Sequence, residues 1–147
     1  HPYLNTENTL LQKDLHKTII FITHDLDEAL RIGDNIAILR DGKIIQKGDP
    51  QQIIMKPADD YISDFIKDIN RGKVIEVKSI MQKGSSKGTS LDSSCSLEDA
   101  LKVLNNEKNN ECSVVDDKGK KIGKVTLDAA IGALFREKAS RNKEKYK

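Results

Sequence analysis

An unbroken apolar run over residues 19–22 is the feature that most constrains how this chain can fold. Three of the four residues are β-branched isoleucines, and such a run is typical of a strand buried on both faces of a parallel sheet. Thr23 and His24 end the run, and three acidic residues then open a helical pattern, as is common in a first helical turn: Asp25, Asp27 and Glu28. The sequence therefore predicts a strand over 18–23 and a helix over 25–32 in an α/β fold.

His24 is placed by this pattern at the carboxyl end of a strand, where a helix begins. Ligands of open α/β sheets bind at that edge, and the free N–H groups of a helix start favour phosphate. The alternative is that His24 is only a polar residue that caps a buried strand. Asp25, the next residue, is assigned to capping the helix.

The remainder of the first half is predicted to have a structural role only. Asp41-Gly42 is a hairpin turn signal, Pro50 suits the first turn of a helix, and Gly33 suits the position just beyond a helix end. Tyr61 and Phe65 are predicted to contact the core. The predicted elements are helices over 1–17, 50–55 and 58–69 and strands over 35–40 and 43–47.

The sequence of the second half predicts strands and helices in the order β-α-β-β-α. Ser96 is the predicted N-cap of its first helix, which begins at Leu97. The last helix opens at Asp128, with three apolar side chains facing inward: Ile131, Leu134 and Phe135. The predicted strands cover 74–77, 111–116 and 121–127, and a polar stretch rich in glycine and serine covers 82–90.

Composition excludes several classes of protein. The chain has 147 residues with 25 basic and 23 acidic side chains, so there is no case for a nucleic-acid partner. Its only cysteines, Cys95 and Cys112, are too few for a zinc site or a disulfide framework. The apolar runs of about four residues are far below the ~18 that span a bilayer, and no signal peptide is visible. Residues 137–147 are predicted to be a basic, disordered tail, either simply solvated or attracted to anionic lipid.

The string ITHDLDEALRIGDNIAILRDGKIIQKGDP resembles the switch-histidine region of ABC-transporter ATPases. The strings LDEALRIGD and KPADDYISDFI resemble in particular the ATPase subunits of glycine betaine/proline importers. The resemblance implies that residues 1–72 form the C-terminal part of an ABC-type nucleotide-binding domain. It also implies that His24 contacts the γ-phosphate of ATP and helps to hold the attacking water.

Residues 73–136 resemble a single cystathionine-β-synthase (CBS) repeat through the strings SIM, CSVVDDKG and IGKVTLD. The last string is similar to the Gly-x-x-Thr-x-x-Asp pattern of CBS modules that bind adenine nucleotides. The resemblance implies that Thr126 and Asp128, which follow Gly123, contact the ribose and phosphate. The alternative is that Asp128 is only a helix N-cap. Lys124 and Ser113 depart from the family pattern, which has an apolar residue and often a proline at these positions.

Together the two resemblances imply an ATP-binding subunit of an importer for glycine betaine/proline-type osmolytes, with CBS-type regulation and a role in osmoprotection. The implied cofactors are ATP and Mg²⁺, with an adenine nucleotide at the CBS repeat. The implied partners are a second ATPase subunit in a homodimer, integral membrane permease subunits, and a substrate-binding protein reached through the permease. The implied location is cytoplasmic, on the inner face of the cell membrane.

Several elements of an ATPase site are not found in the printed sequence. It contains no Gly-x-x-x-x-Gly-Lys-Ser/Thr phosphate loop, no Leu-Ser-Gly-Gly signature, and no acidic strand for magnesium and the catalytic glutamate. We therefore read the chain as a fragment whose parent is an ATPase and which is inactive alone. One alternative is a stand-alone, non-enzymatic CBS-type regulatory or nucleotide-sensing module. Another is an ATPase subunit for a different solute.

Overall fold

The computed structural model describes residues 18–135, which have the predicted mixed α/β content. They divide into two compact units between Ile66 and Lys67, whereas the sequence placed the boundary after residue 72. The helix predicted over 1–17 and the basic tail predicted over 137–147 lie outside the described residues. No helix in the described part of the chain is long and apolar enough to cross a membrane.

Unit 1 is built on an antiparallel hairpin. Asp41 and Gly42 join its two strands with φ of 50° and 74°, the positive pair that a type I′ turn requires. Asp49 and Gln52 cap the second helix reciprocally, with Pro50 in its first turn. The elements of unit 1 are α1 (Leu26–Ile32), β1 (Ile36–Arg40), β2 (Lys43–Gly48), α2 (Pro50–Met55) and α3 (Asp60–Phe65).

The strand predicted over 18–23 is wrong for the described residues. No strand is formed there, and Ile20 and Ile22 are 85% and 91% exposed. A strand buried on both faces needs a neighbour on each edge and a layer on each face. Within residues 18–66 the only strands are β1 and β2, and they pair with each other.

The core contacts predicted for Tyr61 and Phe65 are corrected, whereas Gly33 lies just beyond the end of α1, as predicted. Helix α3 is shorter than predicted and buries Ile62, whereas Tyr61 and Phe65 are exposed, with their rings stacked at 6.0 Å. Gly33 follows α1 with φ of −78°, so it does not adopt the left-handed conformation. A Cβ at Gly33 would lie only 3.0 Å from the Ala29 carbonyl oxygen, so close packing favours glycine.

Unit 2 shows the predicted β-α-β-β-α order, but with a different first strand. Residues 74–77 do not form a strand, because Asn70 caps a helical turn that ends at Val74. The first strand instead lies at the end of the polar stretch and pairs in parallel with the central strand. The elements are α4 (Arg71–Val74), a 3₁₀ turn (Val77–Ser79), β3 (Ser90–Asp92), α5 (Leu97–Leu104), β4 (Glu111–Val115), β5 (Lys121–Thr126) and α6 (Leu127–Leu134).

The sheet of unit 2 has the order β3-β4-β5, and α4, α5 and α6 pack against one another. Ser96 caps α5 as predicted, and Leu97, Ala100 and Leu104 are fully buried. Helix α6 faces inward through Ala130 and Ala133, whereas Ile131 and Phe135 are exposed and Leu134 is half-buried. The prediction that the three large side chains face inward is therefore wrong for Ile131 and Phe135. Small alanines on α6 allow the helices to pack closely.

The guanidinium of Arg71, in α4, donates from Nε to the carbonyl oxygen of Ala133 at 2.8 Å. The last carbonyls of a helix have no partner inside the helix, and a cation is favoured beside them. Arg71 therefore closes the C-terminal end of α6 and joins the first helix of unit 2 to its last.

Candidate functional sites

His24 lies in unit 1, in a bend immediately before α1. It is exposed, and its imidazole has no hydrogen-bond partner among the described residues. The idea that His24 caps a buried strand receives no support from the described residues, because residues 18–23 form no strand.

The residues beside His24 fix the start of α1. The Thr23 hydroxyl donates to Glu28 Oε2 at 2.8 Å, and its oxygen accepts from the Asp25 N–H at 3.0 Å. The Asp25 carboxylate accepts from the Glu28 N–H at 3.1 Å, so Asp25 is the N-cap, as predicted. These three bonds hold the backbone on both sides of His24 and do not involve its ring.

The second candidate site is the corner between β5 and α6. Thr126 is the N-cap of α6, and its hydroxyl oxygen accepts from the Ala129 N–H at 3.2 Å. The alternative that Asp128 is the N-cap is therefore wrong, since Asp128 lies in the first turn and is exposed. The Thr126 hydroxyl proton and the Asp128 carboxylate remain available at this corner.

The spacing at this corner differs from the nucleotide-binding pattern by one residue. Gly-x-x-Thr-x-x-Asp places the acid three residues after threonine, where this chain has Ala129. Asp128 stands one position earlier, and one residue turns a side chain by about 100° around an α-helix. Asp128 therefore leaves α6 in a different direction from the acid of the pattern.

Gly123 has a packing role in β5. A Cβ built there would lie 2.9 Å from both the Gln82 carbonyl oxygen and the Met81 sulfur. Residues Gln82 and Lys124 exchange two backbone hydrogen bonds of 2.9 Å, which brings the chain after the 3₁₀ turn against β5. Gly123 permits this close approach.

Gly123→Ala is expected to lower the free energy of unfolding of unit 2 by about 1–3 kcal/mol, because the added methyl group collides with backbone. Thermal or urea unfolding followed by circular dichroism measures the change. Gly132→Ala is the matched control, since a Cβ there meets nothing within 4 Å and alanine is the better helix former. Unchanged stability of Gly123→Ala would contradict the packing role.

A buried hydroxyl holds the polar stretch over 82–90 in place. Ser113, on β4, is fully buried, accepts from the Ser86 N–H at 2.7 Å and donates to the Ser86 carbonyl at 2.8 Å. The Ser86 hydroxyl in turn donates to the Glu111 carbonyl and accepts from the Gly88 N–H. A proline at position 113 has no hydroxyl and could make neither of the two bonds between Ser113 and Ser86, so serine at this position has a structural reason.

Two lysines border the same loop. Lys121 Nζ donates to the Ser86 carbonyl at 3.2 Å, and Lys124 Nζ lies 3.4 Å from Glu111 Oε2. Lys124 stands where CBS repeats usually have an apolar residue, and its ion pair with Glu111 is only about one quarter exposed. The sequence reading missed Ser86 and Glu111 as partners, because they are 27 and 13 residues away from the side chains they bind.

Both cysteines in the described part of the chain have pKa values that disfavour the reactive thiolate. Burial raises the pKa of the Cys112 thiol to about 11, and burial also raises the pKa of Cys95. Both thiols are therefore protonated near neutral pH, and they are free. Hydrogen bonds from Ser94 lower the pKa of Asp92. Within residues 18–135 no three His, Cys, Asp or Glu side chains are grouped so as to hold a metal ion.

Known proteins are similar to this chain over most of its length. The trimethylamine N-oxide transport system ATP-binding protein of Pelagibacter ubique is 40% identical over 134 residues, covering 87% of this chain and 38% of that protein. The glycine betaine/proline betaine transport system ATP-binding protein of Escherichia coli is 34% identical over 134 residues, covering 91% and 34%. The glycine betaine/carnitine transport ATP-binding protein of Listeria monocytogenes is 55% identical over 71 residues, covering 48% and 18%.

The chain spans between 18% and 38% of the length of these three relatives. No family model matches it. Among solved structures, it aligns with the cystathionine β-synthase pair domain of a putative Mg²⁺ transporter from Shewanella oneidensis at 20% identity and a TM-score of 0.30, covering 86% of this chain and 58% of that one. A likeness at that score adds nothing to the fold described above. The resemblance of the sequence to ATP-binding subunits of quaternary-amine importers is confirmed by the relatives, and it extends over most of the chain.

Proposed function

We propose that this chain works as the C-terminal part of an ATP-binding subunit of an ABC importer for osmolytes of the glycine betaine type, with unit 2 as its regulatory module. The observation that carries the proposal is the 34% identity to the Escherichia coli transport protein over 91% of this chain. The alternative of a stand-alone regulatory module is not better supported, because the similarity includes more than unit 2.

His24 is the residue we assign to ATP. It is exposed beside a capped helix start, and its ring nitrogens are not engaged by other described residues. These features fit a group that donates to a phosphate oxygen. The bound nucleotide with its Mg²⁺ supplies the γ-phosphoryl group, whose transfer depends on positioning and charge stabilisation. His24 would position that phosphate and the attacking water, while the phosphate cradle comes from sequence that this chain does not contain.

The partners follow from the same proposal. A second ATP-binding subunit would complete the ATPase dimer, and integral membrane permease subunits would receive the mechanical work. The substrate-binding protein would meet the subunit only through the permease. This arrangement places the protein on the cytoplasmic side of the membrane. No described residue contacts the transported solute in this proposal. The other components of the importer would therefore determine which solute is transported.

At unit 2 we propose an adenine nucleotide as the regulatory ligand of the corner formed by Thr126 and Asp128. The Thr126 hydroxyl can donate while it caps α6, and the exposed Asp128 carboxylate can accept from ribose hydroxyls. Titration of the chain with AMP and ATP, followed by calorimetry, tests this. Binding that is lost in Asp128→Asn supports the assignment; no heat at millimolar nucleotide excludes it.

A chimaera tests the importer function. The aligned segment of the Escherichia coli transport ATP-binding protein is replaced by this chain, and uptake of radiolabelled glycine betaine is measured in cells that lack the native subunit. Restored uptake that is lost in the His24→Ala chimaera supports the proposal. A chimaera that accumulates to normal levels and binds ATP, yet neither hydrolyses it nor restores uptake, would refute it.

The isolated chain of 147 residues is expected to show no ATPase activity above background, because its sequence contains no phosphate loop and no catalytic glutamate. Phosphate release at millimolar ATP and Mg²⁺ is the measurement, and the His24→Ala chain is the control. Turnover in the original chain that disappears in the control would show that residues 1–147 contain a working site.

A further inference from the structure

A hydrogen-bonded bridge connects the residue before His24 with the helix after it. The Thr23 hydroxyl oxygen accepts from the Asp25 backbone N–H at 3.0 Å, so His24 is enclosed in a short turn. The same hydroxyl donates to Glu28 Oε2, in the first turn of α1, at 2.8 Å. The bridge therefore consists of the Glu28 carboxylate, the Thr23 hydroxyl and the Asp25 N–H, and it ties both neighbours of His24 to α1.

The bridge differs from the usual arrangement at a helix start. In a capping box, the acid at the third helical position accepts directly from the N–H of the N-cap residue. Here the Thr23 hydroxyl stands between the Glu28 carboxylate and the Asp25 N–H. The restraint is thereby extended back to the residue before His24.

The described residues in front of His24 belong to no sheet, so they do not fix its backbone from that side. Residues 18–23 form no strand. Thr23 and Glu28 are both half-buried, and water competes less with their bond than it would at a fully exposed site. A group that acts on a reacting phosphate must be held within about 0.5 Å of its productive position. The bridge supplies such a restraint.

We propose that Thr23 and Glu28 are positioning residues for His24, which hold its backbone so that the imidazole meets the reacting phosphate. This inference rests on the function proposed for His24, and it adds two residues that act through that side chain without touching the nucleotide. The Asp25 carboxylate is not part of the bridge, because it accepts from the Glu28 N–H and caps α1.

Substitutions of Thr23 in the chimaera with the Escherichia coli transport protein test the proposal. Valine has the shape of threonine but no hydroxyl, so Thr23→Val breaks both bonds of the bridge. It is expected to lower turnover about tenfold and to leave ATP affinity within about twofold, since misplacement of a positioned group costs rate more than ground-state binding. Thr23→Ser keeps the hydroxyl and is expected to retain most of the turnover. Original turnover in Thr23→Val would overturn the proposal.

Substitutions of Glu28 test the other end of the bridge. Glu28→Ala is expected to lower turnover about as much as Thr23→Val, whereas Glu28→Gln keeps an acceptor oxygen and should lose less. Asp27→Ala is the matched control, because it removes an exposed carboxylate from the same helical turn outside the bridge. Equal losses in Glu28→Ala and Asp27→Ala would assign the effect to the charge of the helix start and overturn the proposal.

A double variant separates positioning from a general loss of structure. If Thr23 acts through His24, Thr23→Val is expected to cost no further single-turnover rate once His24→Ala is present. A further tenfold loss in that background, about the loss expected from Thr23→Val alone, would show that Thr23 acts elsewhere. Normal turnover in His24→Ala alone would instead refute the function proposed for His24, and the positioning role with it.

A second measurement needs no nucleotide. In the chain of 147 residues, the NMR order parameter of the His24 backbone N–H is expected to fall from about 0.85 towards about 0.6 in Thr23→Val. It is expected to stay near the original value in Thr23→Ser. An unchanged order parameter in Thr23→Val would overturn the proposal even if turnover fell, because the rate would then be lost without any loosening of His24.

Discussion

His24→Ala, introduced into a complete ATP-binding subunit that includes this chain, is expected to lower the rate of ATP hydrolysis by about 10²–10³. The reason is that His24 would act on the phosphate and water of the reacting complex and less on the bound ground state. ATP affinity is therefore expected to change little. Single-turnover phosphate release gives the rate, and binding of a fluorescent ATP analogue gives the affinity.

Asp25→Ala is the matched control for that experiment. It removes the N-cap of α1 and is expected to cost about 1 kcal/mol of stability, while hydrolysis per folded molecule stays close to the original rate. A His24→Ala subunit with near-normal turnover would show that the imidazole does not touch the reacting phosphate. Equal losses of turnover in both variants would instead assign the effect to distortion of the helix start.

Ser113→Ala is expected to lower the free energy of unfolding of unit 2 by about 2–3 kcal/mol. The substitution leaves the Ser86 N–H without its partner and takes one hydrogen bond from the Ser86 carbonyl, both in a buried position. Urea unfolding followed by circular dichroism measures the loss. Hydrogen exchange should show faster exchange across residues 84–89 well before the rest of the unit opens.

Ser94→Ala is the comparison for Ser113→Ala. The Ser94 hydroxyl also makes a short bond, 2.6 Å to Asp92, but the pair is exposed and water can replace it. The free energy of unfolding of Ser94→Ala is expected to stay within about 0.5 kcal/mol of that of the original chain. If Ser113→Ala is no more destabilising than Ser94→Ala, the loop is not held by the buried hydroxyl.

Local signals in the sequence predicted the local elements well. The Asp-Gly pair correctly predicted the unit 1 hairpin, Pro50 the start of α2, and Ser96 the start of α5. Each of these residues acts on the backbone beside it. The strand predicted over 18–23 failed for the opposite reason. Apolar β-branched residues indicate that a strand can form, but pairing depends on neighbours that a local pattern does not contain.

At the candidate sites, too, the sequence predicted local features and missed contacts between distant residues. Asp25 as a cap and His24 beside a helix start could be deduced from neighbouring residues. The contact between Ser113 and Ser86 could not, because it joins residues 27 positions apart, and serine in a strand is usually solvated. For α6, the apolar pattern gave the helix but placed Ile131 and Phe135 on the wrong face, since alanines fit the space between packed helices.

The bond from Arg71 to the Ala133 carbonyl also sets an order of events during synthesis of the protein. The two residues are 62 positions apart, so the bond from Arg71 Nε to the Ala133 carbonyl can form only after α6 has left the ribosome. At roughly 5–20 residues per second this delay lasts several seconds, long enough for the β1–β2 hairpin, which forms in microseconds, to pair and separate many times. The bond between the first and the last helix of unit 2 is therefore absent while the sequence between them is being translated.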